Sequence, residues 1–515
     1  MNKIVLGLLL AMGIQSQSAE FLVKYKDQRG LMSLQNRLQQ KNSNVQMLDQ
    51  HDKGSYLVVD IRQENEKSEL EALQALPGVE YVVPNFELKS FSEIPARYSR
   101  DSKNLKEQWA MAKVQAERAW QRAGNQGSRN ITVAVIDTGV DDEHQALAPN
   151  MMAGFDFADN DDDANDITSR SNPGHGTHCA GVIGATGRIP GGIVGLSPDV
   201  RMMPIRFLNE KGSGDLNNGI KAIDFAIEKG AQIISASWGA QVPESTAKPL
   251  MEAVKRAADA GVLFVVAAGN SNKNNDKVGF YPANAPYDNV INVAASNKRD
   301  GKPSFSNFGR GRVHVSSPGE GIMSTLPGDK YGNLSGTSMA TPLVAGLAAL
   351  LMAQDSKLTA PQVKALIQTT GVKNSIETAC NCRVDAFQAV DHLMSKKPWI
   401  YPAAASLAKK EVLQVGVVNM EGSITYSSSN PQVMSVNAQG QVEALKDGMA
   451  KVIAQDSKGI KISSLDFVIG TGKGSGGGTN PPNNPIEPGQ CPYESPKRCE
   501  LACWFNPRLA WCSPK

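Results

Sequence analysis

The chain has 515 residues, of which 20% are charged, and its formal net charge at pH 7 is +2. A chain of this length is too long for one hydrophobic core, and about three domains are typical of it. The sequence has no basic patch with interleaved aromatic residues, which argues against nucleic acid as a partner.

The N-terminus has the three parts of a secretory signal peptide. Lys3 supplies a positive charge, residues 4–14 form a short apolar core, and the small residue Ala19 ends a suitable cleavage site. A membrane anchor needs about 20 apolar residues, roughly twice the length of this core. We therefore predict a signal peptide over 1–19, secretion to the periplasm or the extracellular space, and no transmembrane segment elsewhere in the chain.

The seven cysteines fall into two groups. Three lie in the body of the chain, and four lie in the segment 491–515. In an exported chain the four tail cysteines indicate two disulfides, with three alternative connectivities. A zinc site is the alternative, but the tail has no histidine and no repeated C-x-x-C spacing. The body cysteines are Cys179, Cys380 and Cys382, and the tail cysteines are Cys491, Cys499, Cys503 and Cys512.

Residues 20–90 have the alternating pattern of a small α+β unit. β-Rich apolar runs alternate with segments whose apolar residues recur every three or four positions. The following residues, up to 107, are polar and lack periodicity, so we predict a linker over 91–107 that is accessible to cleavage. The predicted strands are 20–25, 55–61 and 79–83, and the predicted helices are 31–40 and 66–76.

Residues 108–395 carry apolar runs separated by helical segments. This alternation predicts a parallel sheet covered by helices on both faces. Sites in such sheets lie at the carboxyl ends of the strands. The predicted strands include 131–136, 233–237, 262–268 and 290–294, and the predicted helices include 216–229 and 248–260.

The C-terminal part changes character twice. Short strands separated by Asn, Gly and Pro turns predict a small β-sandwich over 400–470. Residues 471–490 are a flexible Gly/Ser/Pro linker, and a Cys-rich tail follows over 491–515. The strands predicted in the sandwich are 423–427, 433–436, 440–444 and 450–454.

Three chemically competent side chains lie at element boundaries beside glycine. Asp137 follows a strand, His175 lies in a glycine-bracketed turn, and Ser338 precedes an apolar helix. Singly, each has a structural explanation, because Asp and Ser are common caps. Together they are the orienting carboxylate, base and nucleophile that serine catalysis requires, in a recognised order along the chain. Asn270, two residues after the strand 262–268, is either a turn residue or an oxyanion donor acting with the backbone N–H of Ser338.

Four segments resemble the motifs of the subtilisin-like serine proteases. The resemblance implies a secreted serine endopeptidase with a seven-stranded parallel sheet, and it assigns the catalytic roles to Asp137, His175, Ser338 and Asn270. Cys179 is similar to a cysteine of the proteinase K-like branch, which implies a buried thiol beneath the catalytic histidine. The resemblance gives His178 no catalytic role. The segments are Asp-Thr-Gly at 137–139, His-Gly-Thr-His-Cys-Ala-Gly at 175–181, Ala-Ala-Gly-Asn at 267–270 and Gly-Thr-Ser-Met-Ala-Thr-Pro at 336–342.

The same resemblance implies a substrate groove. Two strands would flank an extended peptide, as in β-augmentation, and a third segment would line the S1 pocket with Phe280 near its base. These segments have no acidic residue, so cleavage after Arg or Lys is disfavoured and an apolar or uncharged residue is expected. The implied groove residues are Ser237, Trp238, Gly239, Gly212, Ser213, Gly214, Ala267, Ala268 and Gly269.

Residues 20–100 resemble the inhibitory, ferredoxin-like propeptide of that family, chiefly through the segment Val-Glu-Tyr-Val-Val-Pro-Asn-Phe-Glu at 79–87. A sheet of non-local parallel pairings folds slowly, and a propeptide can assist it while blocking the cleft. We expect the chain to bind its own propeptide and to cleave itself within 89–107, with Trp109 near the start of the mature enzyme. The alternative is a permanent N-terminal domain.

The chemistry requires no cofactor, but a structural calcium ion is a candidate. Ala146 stands where the family has an aspartate ligand, and the loop 187–194 offers few oxygen side chains, so the strong site of the family is expected to be lost. A dense acidic loop is either a cation site or a solvated surface. Its carboxylates are Asp159, Asp161, Asp162, Asp163 and Asp166.

The segment 400–470 resembles a bacterial immunoglobulin-like domain. With the tail it suggests a module that binds a surface or polymer, although the tail aromatics Trp504, Phe505 and Trp511 are also explained as cover for a small disulfide core. The sequence therefore predicts a secreted protease that acts on proteins or peptides. The rival hypothesis is a secreted binding protein built on an inactive protease scaffold.

Overall fold

The computed structural model describes residues 18–39, 44–91, 98–99 and 108–470. Most of the predicted signal peptide and of the 91–107 linker, and all of the predicted 471–490 linker and Cys-rich tail, lie outside the described residues. The described chain divides into two compact units, the first ending at Phe86 and the second beginning at Glu87.

The N-terminal unit has a βαββαβ order and a four-stranded antiparallel sheet, which is the ferredoxin-like arrangement. Strand β2 was missed from the sequence because only its two end residues are buried, so it has no alternating apolar pattern. The elements are β1 (Ser18–Tyr25), α1 (Gln28–Leu38), β2 (Val45–His51), β3 (Tyr56–Arg62), α2 (Glu66–Gln74) and β4 (Val79–Pro84), with the sheet order β2-β3-β1-β4.

The second unit begins with short strands and continues into the predicted alternation of strands and helices. The strands of its peptidase part are β5 (Glu87–Ser90), β6 (Tyr98–Ser99), β7 (Thr132–Asp137), β8 (Phe155–Asp156), β9 (Arg201–Arg206), β10 (Ser213–Asp215), β11 (Ile233–Ala236), β12 (Trp238–Gln241), β13 (Leu263–Ala267), β14 (Phe280–Tyr281), β15 (Val290–Ser296), β16 (Val315–Pro318), β17 (Ile322–Leu326), β18 (Lys330–Leu334), β19 (Val372–Lys373) and β20 (Cys382–Arg383). The helices are α3 (Trp109–Lys113), α4 (Ala116–Ala123), α5 (His175–Gly184), α6 (Leu216–Glu228), α7 (Lys248–Asp259), α8 (Thr337–Gln354), α9 (Ala360–Thr370) and α10 (Ala386–Met394).

The main sheet has the order β19-β20-β16-β15-β13-β11-β7-β9-β8. All neighbours are parallel except β19 and β20, which are antiparallel. The sheet has nine strands, whereas the resemblance implied seven, and three of the nine, β8, β19 and β20, are strands of two residues near its edges. The α/β class with a parallel central sheet is confirmed, and it places the ends of β7, β11 and β13 at one edge.

Helix α8 is apolar on all sides and lies in the hydrophobic core of the domain that contains this sheet. By length and composition it passes the test for a membrane span, but 89% of the tested window is buried inside the protein. A helix that is hydrophobic all round is typical of a core element as well as of a span. The burial therefore explains its apolar composition without a membrane.

A disulfide joins Cys380 to Cys382 beside the edge strand β20. The sequence had left these two residues unpaired. Cys179 is a free, buried thiol.

The C-terminal part is a small all-β domain of short strands, as predicted. Several three-residue strands were missed from the sequence because so few residues cannot establish an alternation of apolar and polar positions. Its core contains Leu407, Val442 and Phe467, all fully buried. The strands are β21 (Trp399–Tyr401), β22 (Ala405–Leu407), β23 (Val412–Gln414), β24 (Gly416–Val418), β25 (Thr425–Ser428), β26 (Met434–Val436), β27 (Gln441–Ala444), β28 (Gly448–Ala450), β29 (Val452–Gln455), β30 (Lys461–Ser463) and β31 (Phe467–Ile469).

Candidate active site

Asp137 and His175 form a buried pair at the edge of the main sheet. Asp137 is the last residue of β7 and His175 is the first residue of α5. The His175 Nδ1 lies 2.6 Å from the Asp137 Oδ1, and each side chain is 1% exposed. Because a carboxylate only accepts hydrogen bonds, Nδ1 carries the proton and Nε2 keeps its lone pair. No described residue hydrogen-bonds to Nε2, so it is available to accept a proton.

A second carboxylate, Asp166, accepts hydrogen bonds from residues next to both members of this pair. Its Oδ1 accepts hydrogen bonds from Thr138 Oγ1 (2.9 Å) and Asn172 Nδ2 (3.1 Å). Its Oδ2 accepts from the N–H and the hydroxyl of Thr177 at 2.9 and 2.8 Å. The four donors come from the turn after Asp137 and from both sides of His175. Asp166 therefore ties together the two segments that carry the pair.

The sequence left the acidic loop as either a cation site or a solvated surface, and this place for Asp166 corrects the second alternative for that residue. The side chain is buried, and burial raises its pKa to about 6 against the opposing effect of its hydrogen bonds. In the sequence it is one of several neighbouring aspartates, and only the tertiary contacts distinguish it from the others.

Asn172 fixes the start of helix α5, a role that no sequence pattern indicated. Its Oδ1 accepts hydrogen bonds from the backbone N–H groups of Gly174 (3.1 Å) and His175 (2.8 Å). Gly174 has φ of +107°, a conformation that favours glycine. The turn before His175 is thus held by Asn172, which itself donates to Asp166.

Ser338 is the second residue of α8, so it is not the helix cap. Gly336 occupies the cap position and has no side chain with which to cap the helix. The Ser338 hydroxyl donates to the carbonyl oxygen of Ser237 at 3.0 Å, and the Ser237 hydroxyl donates back to the carbonyl of Ser338 at 3.0 Å. Ser338 is fully buried at the N-terminus of the core helix, where unpaired backbone N–H groups favour negative charge.

The Asn270 amide is oriented by Thr337, the residue before Ser338. The Asn270 Oδ1 accepts from both the backbone N–H and the hydroxyl of Thr337, each at 2.9 Å. Its Nδ2 therefore faces the other way and donates to the carbonyl oxygen of Phe91 at 3.0 Å. Thr337 was not singled out in the sequence, although its position beside Ser338 in the motif is a signal that could have identified it.

Strand β5 lies between the two segments that the resemblance assigned to the substrate groove. It pairs in antiparallel fashion with β10 on one side and with β12 on the other. The N–H of Ser90 donates to Gly212 O at 2.9 Å, and the N–H of Phe91 donates to Ser237 O at 3.2 Å. A segment of this chain thus occupies the position expected for an extended peptide bound by β-augmentation.

Two apolar side chains of this segment are enclosed by the groove. The Phe91 ring lies 5.3 Å from the Phe280 ring, tilted by 56°, and a Cβ atom added at Gly239 would lie only 3.1 Å from the Phe91 Cζ. Leu88 is fully buried, and a Cβ at Gly219 would lie 2.8 Å from its Cδ1. Glycine at both positions makes room for these side chains. Ala267 and Ala268, also assigned to the pocket, are fully buried at the end of β13.

Cys179 and His178 are both buried. Burial raises the Cys179 pKa well above its ordinary value, so the thiol stays protonated, and it donates to Ser338 O at 3.5 Å. Burial lowers the His178 pKa to about 3, and its neutral ring donates from Nε2 to Ile322 O at 2.8 Å. Neither group is suited to act as a nucleophile or as a base.

The described residues do not offer a calcium site of the family type. The backbone oxygen of Ala146 accepts from Thr186 N (2.9 Å), and Val194 exchanges two hydrogen bonds with the Gln108 side chain. In the acidic loop, Asp159 pairs with Arg206. Among the described residues, three or more His, Cys, Asp or Glu side chains converge only at Asp137, His175 and Cys179. A structural calcium ion therefore stays a prediction without a set of residues that fits it.

Comparison with known proteins identifies relatives of the peptidase part of this chain. Residues 128–384 match the Subtilase family. The chain is 39% identical to thermitase of Thermoactinomyces vulgaris over 287 residues, which are 55% of this chain and 96% of thermitase. It is 39% identical to a thermophilic serine proteinase of Bacillus sp. strain AK1 over 290 residues, which are 56% of this chain and 67% of that protein.

A further relative is the major intracellular serine protease of Bacillus subtilis strain 168, with 39% identity over 247 residues, 47% of this chain and 74% of the relative. Residues 395–463 match a bacterial Ig-like domain (group 2), which agrees with the sandwich found in the structure. Since the chain covers nearly all of thermitase at this identity, it belongs to the subtilase family and is a serine endopeptidase.

Proposed function

We propose that the protein is made as an exported zymogen and that Ser338, His175 and Asp137 form its catalytic triad. The Ser338 oxygen attacks the substrate carbonyl carbon while His175 Nε2 accepts the hydroxyl proton. Asp137 holds the imidazole in the required tautomer. His175 then gives the proton to the leaving amine, and water hydrolyses the acyl-enzyme by the same route.

The oxyanion of each tetrahedral intermediate is stabilised by Asn270 Nδ2 and by the backbone N–H of Ser338. The observation that carries this proposal is the hydrogen bond from Asn270 Nδ2 to the carbonyl oxygen of Phe91. That oxygen also lies against the entrance of α8, since a Cβ added at Gly336 would clash with it. A carbonyl in this place is the one that the serine would attack.

The same hydrogen bond supports a proposal for the first substrate. If Phe91 is the residue before the cleaved bond, the enzyme cuts its own chain between Phe91 and Ser92, inside the predicted interval 89–107. Residues 87–91 then stay in the groove as the product, and the N-terminal unit acts as the inhibitory propeptide. The mature enzyme would begin at Ser92, earlier than the predicted start near Trp109.

The occupied groove also supports a preference for apolar substrates. The enclosure of Phe91 by Phe280 and Gly239 favours an aromatic residue before the cleaved bond, and buried Leu88 favours a large aliphatic residue three positions earlier. Hydrolysis of peptides with the pattern Leu-x-x-Phe should exceed that of peptides with Arg in place of Phe. Equal rates for the two peptides would contradict this preference.

Processing of the full-length chain tests the proposal. The secreted wild-type protein should yield a new N-terminus at Ser92, whereas Ser338→Ala should remain uncleaved there. Phe91→Asp should slow processing at least tenfold, because a carboxylate is expensive to bury in an apolar pocket. Lys89→Ala, in the same strand but with an exposed side chain, is the matched control and should be processed normally.

The outcomes separate the parts of the proposal. A wild-type N-terminus at another residue would refute cleavage between Phe91 and Ser92, but it would not contradict the proposed catalytic triad. An active-site serine phosphonate should label the processed enzyme at Ser338 and leave Ser338→Ala unlabelled. A processed chain that takes no label would support the binding-protein alternative instead, and a chain retained inside the cell would refute export.

A further inference from the structure

A cavity lies where the peptidase part of the second unit meets the Ig-like domain. Pro402, Ala404, Ala405 and Ser406 contribute to its wall from the start of the Ig-like domain, and the remaining wall residues belong to the peptidase part. The titratable side chains in the wall other than tyrosine are mainly basic. They are Arg310, Arg312, His314 and Lys364, with Asp288 as the one carboxylate.

Lys364 is the most enclosed of these charges. It lies on α9 and is 7% exposed. Gln368, one turn later on the same helix face, donates from Nε2 to His314 O at 3.3 Å, so this face packs against the segment that carries His314. The Lys364 ammonium makes no hydrogen bond or ion pair with any described residue. Burial lowers its pKa to about 8, opposed by the nearby charge of the exposed Asp288.

The two arginines add positive charge to the wall, with Arg312 half-buried and Arg310 exposed. Within the described parts of the chain, neither the Arg310 nor the Arg312 guanidinium forms an ion pair or hydrogen bond. Arg312 acts on the carboxylates of Asp276 and Glu411, where it opposes the rise in pKa that burial causes, but it lies beyond ion-pair distance of both.

The surroundings of His314 agree with a positive electrostatic potential in this cavity. Its Nδ1 accepts a hydrogen bond from the backbone N–H of Asn292 at 2.8 Å, so the ring is neutral with its proton on Nε2. Burial and the charges of Lys364 and Arg312 lower its pKa well below the ordinary value. A further positive charge is thus unfavourable here, and a negative charge is favourable.

We propose that this cavity binds a small inorganic anion of chloride or sulfate size. An ammonium and guanidinium groups in the wall supply donors only, and the wall has a single, exposed carboxylate to balance them. The Lys364 ammonium and the Arg312 guanidinium have no acceptor among the described residues, and a bound anion would supply one to both. Because both domains contribute to the wall, the bound anion would stabilise their junction.

Thermal unfolding in different salts tests the proposal. The full-length Ser338→Ala chain, which would not digest itself, is heated at constant ionic strength while potassium gluconate is replaced by potassium chloride or by potassium sulfate. Gluconate is too large for such a site. Binding of the small anion should raise the Tm by about 2–6 °C and should saturate with its concentration. The chloride and sulfate arms show which anion is held.

Lys364→Met keeps the length of the side chain and removes its charge, so the saturable rise in Tm should disappear. Lys357→Met, an exposed lysine just before the same helix, is the matched control and should respond as the parent does. The general stabilising effect of sulfate acts on all variants alike and cancels in the comparison. Arg312→Gln is a second variant, expected to weaken the anion effect at least fivefold, should Lys364→Met fail to fold.

Two results would overturn the proposal. One is a Tm that is the same in gluconate, chloride and sulfate for the parent chain. The other is an equal, saturable response of the parent, Lys364→Met and Arg312→Gln, which would place the anion elsewhere.

Discussion

Asp166 and Lys364 are both buried charged side chains of the peptidase domain, but their surroundings differ. Asp166 accepts four hydrogen bonds from residues around Asp137 and His175, whereas Lys364 has no hydrogen-bonding partner among the described residues and faces a mainly basic cavity. A buried charge with a full set of donors fixes the geometry of its neighbours. A largely buried side chain whose charge has no protein partner is a candidate to bind a ligand. Substitutions in the two regions should therefore have opposite consequences.

The largest effect should come from the nucleophile that the Asp166 region supports. In subtilisin, a member of this family, loss of the serine lowers kcat about a millionfold, and we expect a loss of the same order for Ser338→Ala. The measurement is kcat on an apolar peptide after the propeptide is removed in trans by another protease. A loss below a hundredfold would mean that another residue is the nucleophile and that the polar network serves stability alone.

Asn270→Ala should lower kcat about a hundred- to thousandfold, the cost of one oxyanion donor in subtilisin. KM should change little, because the β-strand contacts to the substrate backbone are unaffected. Asn272→Gly is the matched control, since Asn272 is an exposed neighbour with φ of +53° that glycine adopts freely. Similar losses in both variants would show a general disturbance of this loop instead of a lost donor.

Asp166→Asn should lower kcat about ten- to hundredfold at pH 8. An amide has one acceptor oxygen and turns its NH2 toward two of the four donors, and each unsatisfied buried group costs about 1–3 kcal/mol. Asp163→Asn, in the exposed part of the same acidic loop, should keep full activity. An active Asp166→Asn enzyme would mean that the His175 geometry does not depend on this carboxylate.

The pH dependence of stability gives an independent measure of Asp166. Its pKa is about 6 in the folded protein and about 3.8 in the unfolded chain, so the native state holds the proton more tightly. The stabilisation is fully present below about pH 3.8 and is lost as the pH rises through about 6, a change of about 3 kcal/mol. Urea unfolding of the Ser338→Ala chain from pH 4 to 7 should show this loss, and Asp166→Asn should remove it. Equal slopes in the two chains would exclude a raised pKa.

The smallest effect is expected for Lys364→Met in gluconate. Replacing an unpartnered buried cation by an apolar side chain is neutral or stabilising, here by about 1 kcal/mol. The midpoint of urea unfolding measures it, since urea adds no anion. A destabilisation above about 2 kcal/mol would remove the contrast with Asp166 and show that Lys364 has protein partners after all.

The local chemistry of the active site could be read from the sequence because each motif is short and contiguous. Asp137, His175, Asn270 and Ser338 each stand at the end of a strand or at the start of a helix, and the buried apolar runs of a parallel sheet predict that such ends share one edge. The class of fold followed from the same runs. Elements without a strong pattern, such as β2 and the three-residue strands of the Ig-like domain, were missed.

Contacts between residues far apart in the chain were decided only by the tertiary structure. In the sequence, Asp166 cannot be distinguished from the neighbouring aspartates, and only the tertiary structure shows that it is buried and hydrogen-bonded near His175. Phe91 was predicted as part of a linker, and only the tertiary structure shows that its carbonyl oxygen accepts a hydrogen bond from Asn270. Lys364 sat in an ordinary helical pattern, yet the fold enclosed it beside Arg312 and His314. Periodicity and motifs encode local conformation and burial, whereas the partner of a polar group depends on which distant segments the fold brings together.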